Sequence, residues 1–488
     1  MSSTRSLRSA LLIPVLLLPT FMGFLDLWIM LVALPSIRAE LHASAGAAQL
    51  MVGLYLTTYG AFLVLGGRLG DTYGRRRMLL TGVFVFTASS ALCMVAPDAT
   101  TLIVARALQG IGAALMLPQV LSIIQVAVPA DRRTAAIGAY SSVIGIAIVS
   151  GLMLGGALLQ ADLFDYGWRM LFAIKIPLGL VIMPLIKWVV PESTVADRRR
   201  LDVKGVALLS TALVVGLLSL EEGSDRGWST LPIVGILVGV VVGACFVWTE
   251  LHLESRGGDP LVSPHLLREA PVRFGLVVTV LFYIATSGLF VVLPFLFQDA
   301  LGLDPLETGL AFAPLGVAFA GASLAGRRPD APTGTLPMIA GAGVMFVGLG
   351  LATIAVWQGG GTVLIAAPLA IFGCGAGMVF PQIVSTVLAR VASKDAGAAS
   401  GVLLTATQAS NALGVAIVGG VFTGAAGLGT RDAFAVAALV ALAFSLLVGV
   451  ISALFARNGR VLAFRDARED HARAGRRSSV TGQGLSDG

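Results

Sequence analysis

A chain of 488 residues that is 56% hydrophobic and only 12% charged, with a mean hydropathy of +0.90, carries far more apolar surface than the core of a water-soluble domain can use. Its net charge of +6 does not mark a nucleic-acid partner, because the cations gather on one side of a series of apolar runs. The three cysteines, Cys93, Cys245 and Cys374, lie inside those runs and imply neither a disulfide framework nor a metal site.

Apolar runs of about 18 residues or more recur along the chain, each long enough to span roughly 30 Å of hydrocarbon at about 1.5 Å per residue. They are rich in Leu, Ala and Gly and far longer than the roughly ten residues of a barrel strand, so they read as helices. In chain order, fourteen are expected, over 11–34, 47–67, 78–96, 101–128, 135–159, 170–190, 204–222, 231–251, 273–298, 306–326, 335–356, 361–390, 399–423 and 434–456. The start, Arg5 and Arg8 followed by an apolar run from Leu11, imitates a secretory signal. The run passes Asp26 and continues to Leu34, which makes it an uncleaved first helix.

Of the 33 Lys and Arg, four (Arg38, Arg169, Arg226, Arg431) fall on one set of loops, two (Arg106, Lys175) lie within helices, and the rest collect on the opposite loops, helix ends and tails. Cations mark the cytoplasmic side, so both termini are expected there. Residues 457–488 are polar and Arg-rich without apolar periodicity, and read as a disordered cytoplasmic tail able to touch anionic lipid.

Within helix 1, Asp26 lies about 15 residues from the inner end, roughly 22 Å deep. A carboxylate there must be paired, protonated or beside water. Arg106, about five residues into helix 4 from the outer side, reaches a similar level, roughly 8 Å deep. Gln109, Gly110 and Ala113 share its helical face. Snorkelling to the outer interface is the alternative for Arg106. His42, His252, His265 and His471 all lie in loops or the tail, so any exchanged proton must sit on a carboxylate, and Asp26 is the acid available in the helical core of the first half.

Between helices 2 and 3 stands the polar stretch from Gly67 to Leu79, containing Asp71 and Arg75 to Arg77. It would serve as a cytoplasmic anchor whatever else it does. Gly67 and Gly74 also permit close backbone approach, while Asp71 can accept charge-assisted hydrogen bonds from Arg75 or from a neighbouring helix end. Such a pair could latch two halves of a moving protein. In helix 5, Ala147, Gly151 and Gly155 recur every fourth residue, a spacing that allows tight helix contact and is also ordinary membrane packing. Gln298, Gln382, Gln408 and Asn411 are cavity candidates in the second half; bonding between helices is their alternative role.

An internal repeat is visible. Gly110, Gly112, Ala113, Pro118, Gln119 and Ser122 match Gly373, Gly375, Ala376, Pro381, Gln382 and Ser385 at one constant offset. The same offset carries Gly138, Gly151 and Gly156 onto Gly401, Gly414 and Gly419, and a worn copy of the polar stretch stands at Gly326 to Asp330. Two six-helix units follow, with two helices inserted between them: 1–203, the inserted pair and its loop 204–272, then 273–456, and the tail 457–488.

These motifs together resemble the major facilitator superfamily, in its fourteen-helix drug:proton antiporter branch, over nearly the whole chain to about residue 456. Gly67, Leu69, Asp71, Gly74, Arg75 and Arg76 stand on the superfamily's loop motif between helices 2 and 3. Leu102 to Gly112 resembles its helix 4 motif, and Asp26 with Ala33-Leu34-Pro35 its helix 1 motif. Gly151 to Gly156, with Gly155, resembles the antiporter motif of exporters, except that Leu152 replaces the usual proline and its kink. Lys175 stands where the similar segment usually has asparagine. If it faces the cavity rather than snorkelling, two cations oppose one carboxylate, which favours neutral or anionic substrates.

The resemblance implies an all-α polytopic fold, proton-coupled efflux of a small hydrophobic toxic compound or antibiotic by alternating access, and a proton gradient in place of any cofactor. It implies a functional monomer in the bacterial inner membrane, with lipid, protons and a small molecule as partners and no nucleic acid. Asp26 and Arg106 would couple protons, Gly67, Asp71, Gly74, Arg75 and Arg76 would form the latch, and Gln109 and Lys175 would join the cavity candidates. A symporter importing a nutrient is the alternative. A membrane enzyme lacks any catalytic cluster in the sequence, and a passive channel suits neither the repeat nor the latch.

Overall fold

The computed structural model describes residues 2–43, 45–161, 165–193, 202–226, 229–256, 258, 260–262, 267–325, 334–388, 391 and 395–482. Among them the chain is helical, with no strand. In order the helices are α1 (Ser2–Glu40), α2 (Ala45–Tyr73), α3 (Arg75–Met94), α4 (Ala99–Ala127), α5 (Ala130–Ala161), α6 (Gly167–Val189), α7 (Val203–Arg226), α8 (Thr230–Ser255), α9 (Ala270–Ala300), α10 (Pro305–Ala325), α11 (Thr335–Trp357), α12 (Thr362–Leu388), α13 (Ala396–Gly424) and α14 (Thr430–Gly482). Thirteen of these are long and apolar enough to cross a membrane among the described residues; α7 contributes a shorter apolar segment, Lys204–Leu220. The expectation of fourteen full-length spans is therefore met to the extent of thirteen.

Helix ends follow local chemistry. Asp98 caps α4 by accepting from the Thr101 backbone N–H at 2.9 Å and its hydroxyl at 3.0 Å. Those two bonds hold the Asp98 carboxyl below its ordinary range. Gly74, at φ +107°, separates α2 from α3 with no more than a one-residue break, a turn that L side chains adopt only with strain. The last turn of α9, Leu296–Ala300, and the segment Val415–Gly419 of α13 wind as π-helix. The last helix runs on to Gly482, where the sequence suggests a disordered tail. Residues 457–482 hold many Ala and Arg and no proline, which is helix-compatible chemistry. The worn copy at Gly326 to Asp330 lies outside the described residues.

Glycines set the packing, and they do so twice. A Cβ on Gly110 would run into the Tyr55 and Thr58 region of α2, and one on Gly112 into Phe86 and Gly82 of α3. The repeat partners do the same one unit later: Gly373 meets Leu315 of α10, and Gly375 meets Gly341 and Met345 of α11. Gly151 packs on Leu25 and Trp28 of α1, and its counterpart Gly414 on Ile284 and Ser287 of α9. One backbone contact scheme is thus written twice.

Two helix groups, α1–α6 and α9–α14, meet along α2 with α13 and along α5 with α10. Gly401 abuts Leu63 and Val64, and Gly145 abuts Gly316 and Phe319. The Ser142 hydroxyl donates to the Ala320 carbonyl at 3.0 Å. Helices α7 and α8 cross closely at Gly216 and Gly239, and α7 is tied to α2 by the Ser210 hydroxyl donating to the Ala61 carbonyl at 3.1 Å. The outer face of α8 exposes Leu231, Leu237, Val240, Val241 and Trp248. That surface is satisfied by lipid tails and not by water.

Candidate functional site

Two polar constructions stand out against this apolar background. The first lies inside the first helix group, where α1, α2, α3, α4 and α6 converge. Asp26, Arg106, Gln109 and Lys175 are each fully buried there. Arg106 Nη1 donates to Asp26 Oδ2 at 2.5 Å and to Gln109 Oε1 at 2.6 Å, and its Nε donates to the Met51 carbonyl at 3.0 Å. Gln109 Nε2 donates to Asp26 Oδ1 at 3.1 Å and to the Ser90 hydroxyl at 2.9 Å. Lys175 Nζ also donates to Asp26 Oδ1. The guanidinium carbon of Arg106 lies 4.2 Å from the Tyr55 ring centroid, and Lys175 Nζ lies 4.2 Å from that of Phe172. Arg106 Nη2 and the Tyr55 hydroxyl are left without a hydrogen-bond partner.

The sequence-derived pairing of Asp26 with Arg106 is thus present, and neither cation snorkels. Lys175 turns into the bundle and onto the carboxylate, away from the seam between the helix groups. Sequence reasoning missed Ser90, Met51, Tyr55 and Phe172. The first and last lie on peripheral helices with ordinary composition, and Met51 acts through its carbonyl, which no side-chain pattern reveals.

The second construction bridges the helix groups at the α2–α3 turn. Asp71 accepts from Arg75 Nη2 at 2.6 Å, and from the backbone N–H groups of Gly397 at 3.2 Å and Ala398 at 3.1 Å, at the start of α13. Both donors expected from sequence, Arg75 and a helix end, therefore serve it, and α13 presents the positive end of its dipole to a carboxylate. Gly67 faces the Gly397 carbonyl so closely that no Cβ fits between them. Arg76 binds within its own helix group: its backbone N–H donates to Glu192 Oε1 at 3.1 Å and its Nη1 to the Val190 carbonyl at 3.3 Å. Arg68 reaches the loop after α8, donating to the carbonyls of Pro260 and Leu261. Deeper along the same seam Ser122 and Ser400 hydroxyls stand 3.3 Å apart, and Gln125 Nε2 donates to the Leu388 carbonyl at 2.8 Å. On this side the seam is shut.

The other cavity candidates separate. Gln408 and Asn411 bond to one another at 3.2 Å and line a cavity of about 150 Å³ with Leu56, Thr57 and Leu217. Gln382 accepts from the Gly334 N–H at 2.9 Å at the start of α11, so it serves a helix end. Gln298 lies exposed in the π turn at the end of α9, away from any cavity described above. Gly151 and Gly156 face α1 and α10 respectively, and Gly155 is buried. The Leu152 side chain lies outside the described residues. A further cavity of about 70 Å³ sits between the helix groups, walled by Phe282, Tyr283, Phe290, Phe319, Phe372 and Phe380. Both cavities fall below the roughly 300 Å³ that holds a drug-sized ligand, so a substrate requires the seam to open. Among the described residues no cluster of metal-ligating side chains occurs.

Comparison with known proteins agrees with this architecture. The family model described as "Major Facilitator Superfamily" matches residues 16–415. A Streptomyces coelicolor protein described as "Probable actinorhodin transporter" is 37% identical over 410 residues, covering 83% of this chain and 71% of its own length. "Puromycin resistance protein pur8" of Streptomyces alboniger is 32% identical over 419 residues, covering 84% and 81%. "Multidrug efflux pump LfrA" of Mycolicibacterium smegmatis is 31% identical over 428 residues, covering 86% and 82%. In fold, the chain is similar to the crystal structure of the human organic anion transporter MFSD10, with TM-score 0.65 at 16% identity over 90% of this chain and 98% of the other. With its apolar helices and these bacterial relatives, it is a multi-pass protein of the inner membrane, and it belongs to the Major Facilitator Superfamily.

Proposed function

We propose that the protein is a proton-coupled exporter of a small hydrophobic toxic compound or antibiotic, working by alternating access as a monomer with no cofactor beyond the proton gradient. The relatives named above as drug and antibiotic transporters support export. The observation that carries the mechanism is the Asp71 clamp, a charged group of one helix group held by the α13 backbone of the other. Such a contact exists in one arrangement of the halves and must break in the other.

In this reading the chain crosses the membrane fourteen times with both termini in the cytoplasm. Residues 1–203 and 273–456 are the rocking units, 204–272 the inserted pair and 457–488 a cytoplasmic tail. Gly67, Asp71, Gly74, Arg75 and Arg76 close the cytoplasmic side, and the cluster at Asp26 and Arg106 exchanges the proton. Gln408 and Asn411 with the aromatic cavity meet the substrate. The test is a panel of toxic compounds given to cells with and without the protein. Raised tolerance to some members is expected. Unchanged tolerance throughout, with uptake of a nutrient instead, would favour the symporter.

A further inference from the structure

We propose that the proton exchanged in this cluster sits on the amine of Lys175, while Asp26 stays ionised throughout the cycle. This rests on the proton-coupled reading above and names the atom that carries it.

The charged groups that face one another here are Asp26 of α1, Arg106 of α4 and Lys175 of α6. The other titratable neighbours among the described residues are Tyr55 of α2 and Cys93 of α3, neutral in their ordinary states. Arginine does not give up its proton in a protein. With Asp26 ionised and Lys175 protonated, the sealed cluster carries one net positive charge. Adding a proton to Asp26 would leave two buried cations and no anion, the arrangement a low-dielectric interior penalises most. Taking a proton from Lys175 leaves the neutral pair of Asp26 with Arg106.

Hydrogen bonding points the same way. Both oxygens of Asp26 already accept from N–H donors, Oδ2 from Arg106 and Oδ1 from Gln109 and Lys175. Gln109 Oε1 also accepts from Arg106, which fixes its amide with the N–H side toward the carboxylate. Once neutral, the Lys175 amine can still donate an N–H to Asp26 and keeps its contact with the Phe172 ring. In the step itself an N–H bond of the ammonium breaks and its electron pair stays on Nζ. The proton passes to water of the cytoplasmic compartment when the cluster opens to it, and the reverse step takes a proton from hydronium on the other side. Lysine is suited to this role because burial makes its charge negotiable.

The test uses the full-length protein in lipid nanodiscs with no transported compound, so its outcome is independent of the compound panel. Proton binding is followed with an indicator dye from about pH 5 to 10, beside pH-difference infrared spectra, for wild type, Lys175→Arg, Lys175→Gln and Asp26→Asn. Over this range wild type should release about one proton more than either Lys175 variant. No carbonyl band of a protonated carboxyl should appear that Asp26→Asn removes. Equal proton release in wild type and the Lys175 variants, or a carboxyl band assigned to Asp26, overturns the proposal. If Lys175→Arg does not fold, the neutral Lys175→Gln carries the comparison.

Discussion

At the scale of single residues, the buried cluster makes an asymmetric prediction about its own members. Asp26→Asn leaves Arg106 and Lys175 facing one another with no anion, whereas Arg106→Gln leaves Asp26 with Lys175 as a neutral pair. Breaking a buried ion pair from one side costs about 3–5 kcal/mol, and Asp26→Asn should lie in that range with Arg106→Gln clearly below it. Thermal unfolding in detergent measures the order. Equal losses would mean that Lys175 does not share the carboxylate. Much of this cluster is legible in the sequence, since a rise of about 1.5 Å per residue puts Asp26 and Arg106 at one level of the bilayer. The direction of Lys175 is not, because a lysine near a helix end can snorkel or turn inward, and only the tertiary position of α6 decides between them.

At the scale of elements, the α2–α13 contact depends on a carboxylate and a missing side chain. Asp71→Asn removes the charge that Arg75 and the start of α13 share, and should impair transport while the protein remains inserted. Gly67→Val places a branched side chain against the Gly397 carbonyl, which can only be relieved by separating the two helices. Both changes can be read with cysteines at Ser122 and Ser400, whose hydroxyls lie 3.3 Å apart across the shut seam. If opening costs about 1 kcal/mol less, the closed-to-open ratio falls about fivefold, and disulfide formation between them should be slower in each variant. An unchanged rate with normal transport would reduce the stretch to a cytoplasmic anchor. The acid, the arginines and the glycines of this stretch can be picked out in the sequence, but the backbone that receives Asp71 cannot. Gly397 and Ala398 act through backbone N–H groups that every residue has, and only the placement of a helix start opposite Asp71 gives them a role. The π turn that holds Gln298 is equally silent, because one extra residue in a turn leaves no compositional mark.

At the scale of the molecule, duplicated glycine contacts explain why the fold is readable from so little: the pairs Gly110 and Gly373, Gly112 and Gly375, and Gly151 and Gly414 each fix the same helix of the repeat against the same neighbour. The inserted α7 packs on its neighbours as the other helices do, on α2 through Ser210 and on α8 through Gly216. The central claim is that proton entry drives export through these rocking units, and everted membrane vesicles test it most directly. With the lumen made acidic and no nucleotide present, a compound selected by the tolerance panel should accumulate inside as protons leave. A protonophore should abolish that accumulation, and Asp71→Asn should lower it. Accumulation that is indifferent to the pH gradient, or movement of the compound out of the vesicles together with protons, would contradict the account.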